Sequence, residues 1–199
     1  MFRIIRFDLL LRYVVILSII ISVLAYFTLQ RLFEPLSIFK LITISSISSL
    51  IIMFILLSPW FSRKVWACIR MFNKNLYPDL NGVWVGHVTT EEDAKFEVRA
   101  LIRQSLLITE IDLHGESVKS VTLETTPTIE HNQKKLYYVY NSTPKNPAWG
   151  SYVGSTIFDV IEDKSALKLS GKYYTNRKSV GRIMLKRIST ESVADISFY

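Results

Sequence analysis

The stretch Tyr77-Pro78-Asp79-Leu80-Asn81-Gly82-Val83-Trp84-Val85-Gly86 decides how the rest of the chain is read. Pro78 cannot donate to a ladder, Asp79 and Asn81 form turns and caps, and Gly82 permits the backbone geometry of a strand start. Trp84 then alternates with Val85, so one face of the new strand carries the largest side chain available. Such a corner marks the entry to a β domain, with Trp84 placed to seal one end of it.

Downstream, short runs rich in Val, Ile, Thr, Tyr and Phe are separated by turn residues. They are GVWVGHVTT (82–90), KFEVRALIRQ (95–104), LLITEIDLHG (106–115), SVKSVTLETT (117–126), KKLYYVYNS (134–142), SYVGSTIFDVI (151–161), ALKLSGKYYT (166–175) and VGRIMLKRI (180–188). About eight strands at this spacing, with hairpin-like links, predict an all-β fold. The expected form is a small up-and-down antiparallel β-barrel over 77–199, since closure removes exposed edges that no helix in this region would cover. The Gly82-Val83-Trp84 opening resembles that of lipocalin-type barrels. That resemblance implies a basic residue of the last strand packed over the Trp, and Arg182 is the candidate for this cation–π contact.

Upstream, the character is different. Residues 13–30 run 18 positions without a charge and residues 41–62 run 22. Either run meets the ~20 residues a helix needs to cross a bilayer, and neither shows a polar face at helical period. A hairpin of two transmembrane helices is therefore expected within 1–62, with spans at about 13–30 and 41–61. Residues 31–40 connect them and include Pro35. A basic amphipathic linker is expected at 63–76.

Charge supports that division. The chain carries 24 Lys and Arg against 17 Asp and Glu. Nine of the bases and two of the acids lie in 1–76, so 77–199 is neutral. A neutral domain is poorly suited to gripping long nucleic acid by counterion release, but it can hold a small anion at a focused site. Arg3, Arg6 and Arg12 precede the first run; Arg63, Lys64, Arg70 and Lys74 follow the second. The positive-inside rule then places both termini in the cytoplasm of a multi-pass membrane protein. The hydroxyls of Thr43, Ser45, Ser46, Ser48 and Ser49 read either as bonds to their own helix or as a small-residue face for neighbouring copies.

Two hydrophobic runs, a barrel entered at YPDLNGVWVG and a late GKYYTNRKSVGRIMLKR (171–187) together resemble the CBASS antiphage effectors. Within that group the likeness is to the CD-NTase-associated family with two transmembrane helices and a β-strand-rich domain. The resemblance implies that a cyclic dinucleotide binds the barrel, that the protein homo-oligomerises on activation, and that the inner membrane is disrupted and the infected cell killed.

A cyclic dinucleotide calls for aromatic faces under its bases and guanidinium or hydroxyl donors at its phosphates. The tyrosines available are Tyr77, Tyr137, Tyr138, Tyr140, Tyr152, Tyr173 and Tyr174. The expected ligand set is Tyr77, Arg103, Thr109, Tyr152, Tyr174, Thr175, Asn176 and Arg177, with Gly82, Trp84 and Arg182 structural. Arg99 shares a strand face with Arg103 and is a second choice.

Catalysis has little support. His87, His114 and His131 lack metal-ligand spacing, and no P-loop, HExxH or Gly-x-Ser-x-Gly occurs. The expectation is a non-enzyme without a metal or cofactor. Cys68 is the only cysteine, which excludes an intrachain disulfide and a Cys-based zinc site. The competing reading is a membrane-tethered, lipocalin-like carrier or sensor for an apolar small molecule, whose cavity would lack arginine.

Overall fold

Side chains alternate inward and outward along the strands, with a break in the fourth, and the inward set forms one continuous core. The strands are β1 (Gly82–Thr90), β2 (Lys95–Gln104), β3 (Thr109–Gly115), β4 (Val118–Glu130), β5 (Gln133–Pro144), β6 (Tyr152–Glu162), β7 (Leu167–Thr175) and β8 (Val180–Ser189). They come from a computed structural model that describes residues 7–32, 37–72, 77–105, 108–163, 166–191 and 195–197. Each strand pairs antiparallel with its neighbour in sequence, and β8 closes on β1, giving the expected eight-stranded barrel.

The β3–β4 seam departs from regular pairing. Only Leu113↔Ser120 and His114↔Lys119 are in ladder register there. Further down, hydroxyls stand in for the ladder: Thr122 Oγ1 accepts from Ile111 N at 2.7 Å and donates to Ile111 O at 2.9 Å. Thr125 Oγ1 donates to Thr109 O. Leu123 is the extra residue of a bulge against β5. Pro127 is tolerated in this strand because the splayed side asks for no N–H at that position.

The loops sort to two ends. Turns after Thr90, Gly115, Pro144 and Thr175 lie at one end; those after Gln104, Glu130 and Glu162 lie at the other, together with the start of β1 and the end of β8. The second end is closed. Tyr77, Leu80 and Trp84 are fully buried across it. Trp84 Nε1 donates to Leu80 O at 3.0 Å, and Tyr77 OH donates to Lys135 O at 3.1 Å. Asn81 N donates to Asp79 Oδ1 at 3.0 Å, the local turn that Asp favours. Asn81 also exchanges two bonds of 2.8 Å with the backbone of Gln104. Gly82 has φ +128°, and a Cβ there would run into Ser189 O, so glycine is required at the strand start.

The arginine at this end is Arg187, not Arg182. Trp84 pairs in register with Arg187, whose Nη1 donates to Asp79 O at 2.6 Å. Burial pulls the Arg187 pKa down, with Asp79 opposing and Arg70 adding to the fall. Arg182 pairs with Thr89 and Lys172 towards the other end and is exposed. The lipocalin-like pattern fixes a last-strand basic residue but not which turn of alternation delivers it, and the two candidates lie five positions apart.

Ahead of the barrel stand α1 (Phe7–Leu32), α2 (Ile38–Leu57) and α3 (Pro59–Phe72). The Ser49 and Ser18 hydroxyls lie in hydrogen-bond contact at 2.9 Å, joining α1 to α2 within one chain, while Ser48 and Ser49 also reach their own i−4 carbonyls. Among the described residues no helix is long and apolar enough to cross a membrane, so the fold alone does not supply the two expected spans. The helix α3 is docked on the closed end. Trp66 is buried there and its Nε1 donates to Tyr77 O at 3.1 Å. Arg70 pairs with Glu162, which also pairs with Lys134.

Candidate ligand site at the open end of the barrel

At the end opposite Trp84 the core is incomplete. Inward positions of β1, β2, β3, β5 and β7 continue upward as Val88, Val98, Leu113, Tyr138, Tyr140 and Tyr173, and between them lies a cavity of about 480 Å³. That volume falls within the range of small-molecule sites. Its rim carries Tyr152, Thr175, Arg177, Trp149 and Glu116.

Parity places the tyrosines. On β5, Leu136, Tyr138 and Tyr140 share the inward face, and the rings of Tyr138 and Tyr140 stack at 4.9 Å with 29° between planes. On β7, Leu167, Leu169, Gly171 and Tyr173 are inward. Two of these rings lie over glycines of the adjoining strand. Tyr140 pairs with Gly154 and Tyr173 with Gly181, and a Cβ on either glycine would run into the tyrosine ring. Each missing side chain lets an aromatic face lie flat against the wall. On the mouth side of the rings, one inward position beyond Tyr140 on β5, Ser142 and Ser120 bond each other at 2.7 Å and are both buried.

The phenols are held neutral. Burial pushes the Tyr140 pKa well above its ordinary value, with Tyr152 adding to the rise; burial does the same for Tyr138 and, with Tyr152, for Tyr173. Neutral phenols remain hydrogen-bond donors and add no charge against an anionic guest.

Arg177 is the cation at the rim. Its guanidinium carbon lies 4.6 Å from the centroid of the Tyr152 ring, a cation–π geometry that extends the side chain over the mouth. One Nη2 proton goes to Gly150 O, fixing the arginine to the 145–151 loop. A guanidinium has five N–H donors, so others remain for a guest. The turn carrying it is held by Asn176, whose N donates to Val153 O at 2.9 Å and whose Oδ1 accepts from Val153 N at 3.2 Å.

The expected ligand residues therefore divide. Tyr152, Thr175 and Arg177 line the cavity; Asn176 does not, and acts as the clasp of their turn. Tyr174 has the opposite parity from Tyr173 and faces outward, half exposed. Tyr77 is in the closed end. Thr109 is buried near that end, its Oγ1 without a partner among the described residues. Arg103 lies outside the barrel, paired with Asp112 and, at 3.5 Å, with Glu110. Burial would lower its pKa, but those two carboxylates outweigh it and raise the value. Residues absent from the expected set are Tyr138, Tyr140, Tyr173 and Trp149. The parity of Leu136 and Leu169 was the signal for the first three; nothing in the sequence marks Trp149.

The sequence of residues 75–187, more than half of the chain, matches the Cap15, cyclic dinucleotide receptor domain. The chain belongs to this Cap15 receptor-domain family. A relative within reach of direct comparison is CD-NTase-associated protein 15 of Staphylococcus schleiferi, 29% identical over 132 residues, which cover 62% of this chain and 67% of that protein. The Cap15 domain boundaries enclose the closed-end segment, all lining strands and the Arg177 turn, so the match and the cavity describe the same part of the molecule.

Proposed function

We propose that the open end of the barrel binds a cyclic dinucleotide and that the protein is a CBASS antiphage effector. The observation that carries this is the Arg177–Tyr152 pair standing over a cavity walled by neutral tyrosines. Bases stack on the phenol faces, and the free guanidinium donors take a phosphate by charge-assisted hydrogen bonds. A purely hydrocarbon guest would have no use for Arg177.

In this reading the helical pair lies in the inner membrane with both termini cytoplasmic. At 1.5 Å per residue, α1 is about 39 Å long and α2 about 30 Å, against ~30 Å of hydrocarbon. Leu24, Phe27, Phe39, Leu50 and Phe54 are all more than half exposed, an arrangement that water disfavours and lipid does not. The charge-free runs in the sequence continue through positions whose side chains lie outside the described residues, and it is the whole run that a bilayer meets. Bound ligand favours a barrel form competent to self-associate, since a ligand shifts only an equilibrium whose states it binds differently. Assembly of the helices then disrupts the membrane.

The test is calorimetry on the full chain in detergent, titrated with a panel of cyclic dinucleotides and with fatty acids. Saturable binding of a cyclic dinucleotide, lost in Arg177→Ala, supports the proposal. Binding of fatty acid alone would favour the lipocalin-like carrier instead.

A further inference from the structure

A second cavity, of about 760 Å³, lies at the closed end between α3 and the barrel floor. Ser58 is extended and ends α2, and α3 then presents Trp60, Arg63, Lys64 and Ala67 to the cavity at i, i+3, i+4 and i+7, one helical face. The facing wall is Gln104. This side chain is 95% buried, and its orientation is set because Oε1 accepts from Leu80 N at 2.7 Å. Its Nε2 is buried without a partner among the described residues. A buried amide donor left unpaired is destabilising, and an acceptor entering the cavity would relieve it.

The charges specify that acceptor. Arg103 and Glu110 also border the cavity and pair with each other at 3.5 Å, so they cancel there; Asp112, the other partner of Arg103, does not line it. Arg63 meets Asp79 at 3.8 Å, both side chains more than a third exposed, a loose pair. Lys64 stands 3.8 Å over the Trp60 ring and has no carboxylate partner among the described residues. Arg63 and Lys64 against Asp79 leave one net positive charge, suited to a monoanion. Exposed Trp60 and Ile108 at the mouth add apolar surface beside that charge.

We propose that this cavity holds the phosphodiester of an anionic phospholipid, with Lys64 and Arg63 as its cations and Gln104 Nε2 as the buried donor. The assignment rests on the membrane placement above, because only there does the joint between α2 and α3 meet headgroups. It fixes the barrel floor to the bilayer through a lipid that both elements touch.

Calorimetry on the full chain in detergent would compare dihexanoyl phosphatidylglycerol with inorganic phosphate. The expected result is one-site saturation by the lipid and much weaker binding of phosphate. Lys64→Glu should weaken the lipid at least about fivefold. Gln104→Glu, which keeps the acceptor for Leu80 N, should weaken it as well. Equal affinity for free phosphate would overturn the lipid assignment, as would unchanged affinity in Lys64→Glu. Flotation of the protein with phosphatidylcholine vesicles reports membrane placement separately: a protein that floats but fails to bind phosphatidylglycerol loses the headgroup site alone.

Discussion

The two ends of the barrel are built from the same residue types and do opposite things. At the closed end Tyr77, Trp84 and Arg187 each donate to a backbone carbonyl, Lys135 O, Leu80 O and Asp79 O, and the two rings are fully buried. At the open end Tyr140, Tyr152 and Arg177 border a cavity, and the exposed arginine has one hydrogen bond, to Gly150 O, among the described residues. What separates them is the segment 77–81, which crosses one end and has no counterpart at the other among the described residues. A tyrosine or arginine in a small barrel is thus structural or ligand-facing according to which end its strand position reaches.

The comparison breaks most severely at Trp84. Truncation to alanine removes the largest fully buried side chain and its bond to Leu80 O, and should cost about 3–5 kcal/mol in denaturant unfolding. A loss under 1 kcal/mol would mean the floor is not what holds that end together. At the mouth, Arg177→Ala should weaken a cyclic dinucleotide by about 10- to 150-fold, the worth of a hydrogen bond to a charged group. Its unfolding midpoint should stay close to that of the parent, because Arg177 is exposed.

Gly154→Ala sharpens the same contrast. The added methyl displaces the Tyr140 ring, so titration should show weakened ligand binding with a smaller loss of stability. An unaffected affinity would remove Tyr140 from the site.

The buried phenols give a pH dependence. Tyr138 and Tyr140 ionise far less readily in the fold than at the ordinary value of 10.0, so above pH 10 the unfolded chain releases protons that the folded chain retains. Stability is complete below that value and falls as pH rises past it. Unfolding followed between pH 9 and pH 11 checks the sign. The smallest effect belongs to Arg103→Ala: its exposed ion pairs contribute up to about 1 kcal/mol, and ligand affinity should be unchanged.

Much of the barrel was legible in the chain. Runs such as those of β3 and β7 alternate with period 2, and turn chemistry at Glu91–Asp93, His131–Asn132 and Asn176–Ser179 sets strand ends; His131, Asn132 and Lys178 do adopt positive φ there. The site was less so. Choosing Tyr174 over Tyr173 is an error of one position, and in a period-2 element one position reverses the face. Arg103 has the residue type of a phosphate ligand, but Ala100, Ile102 and Gln104 take the inward face and turn it out towards Asp112. The pairing of Arg177 with Tyr152 joins residues 25 positions apart, and only the β6–β7 register brings them together. No local pattern carries that information.

Amide hydrogen exchange of the full chain, with and without a cyclic dinucleotide, tests the division of ends most directly. The account predicts added protection over residues 138–152 and 173–179, with 77–84 and 103–110 unchanged. Protection confined to the Arg103 strand or the Trp84 segment, with the tyrosine-lined mouth unaffected, would contradict it.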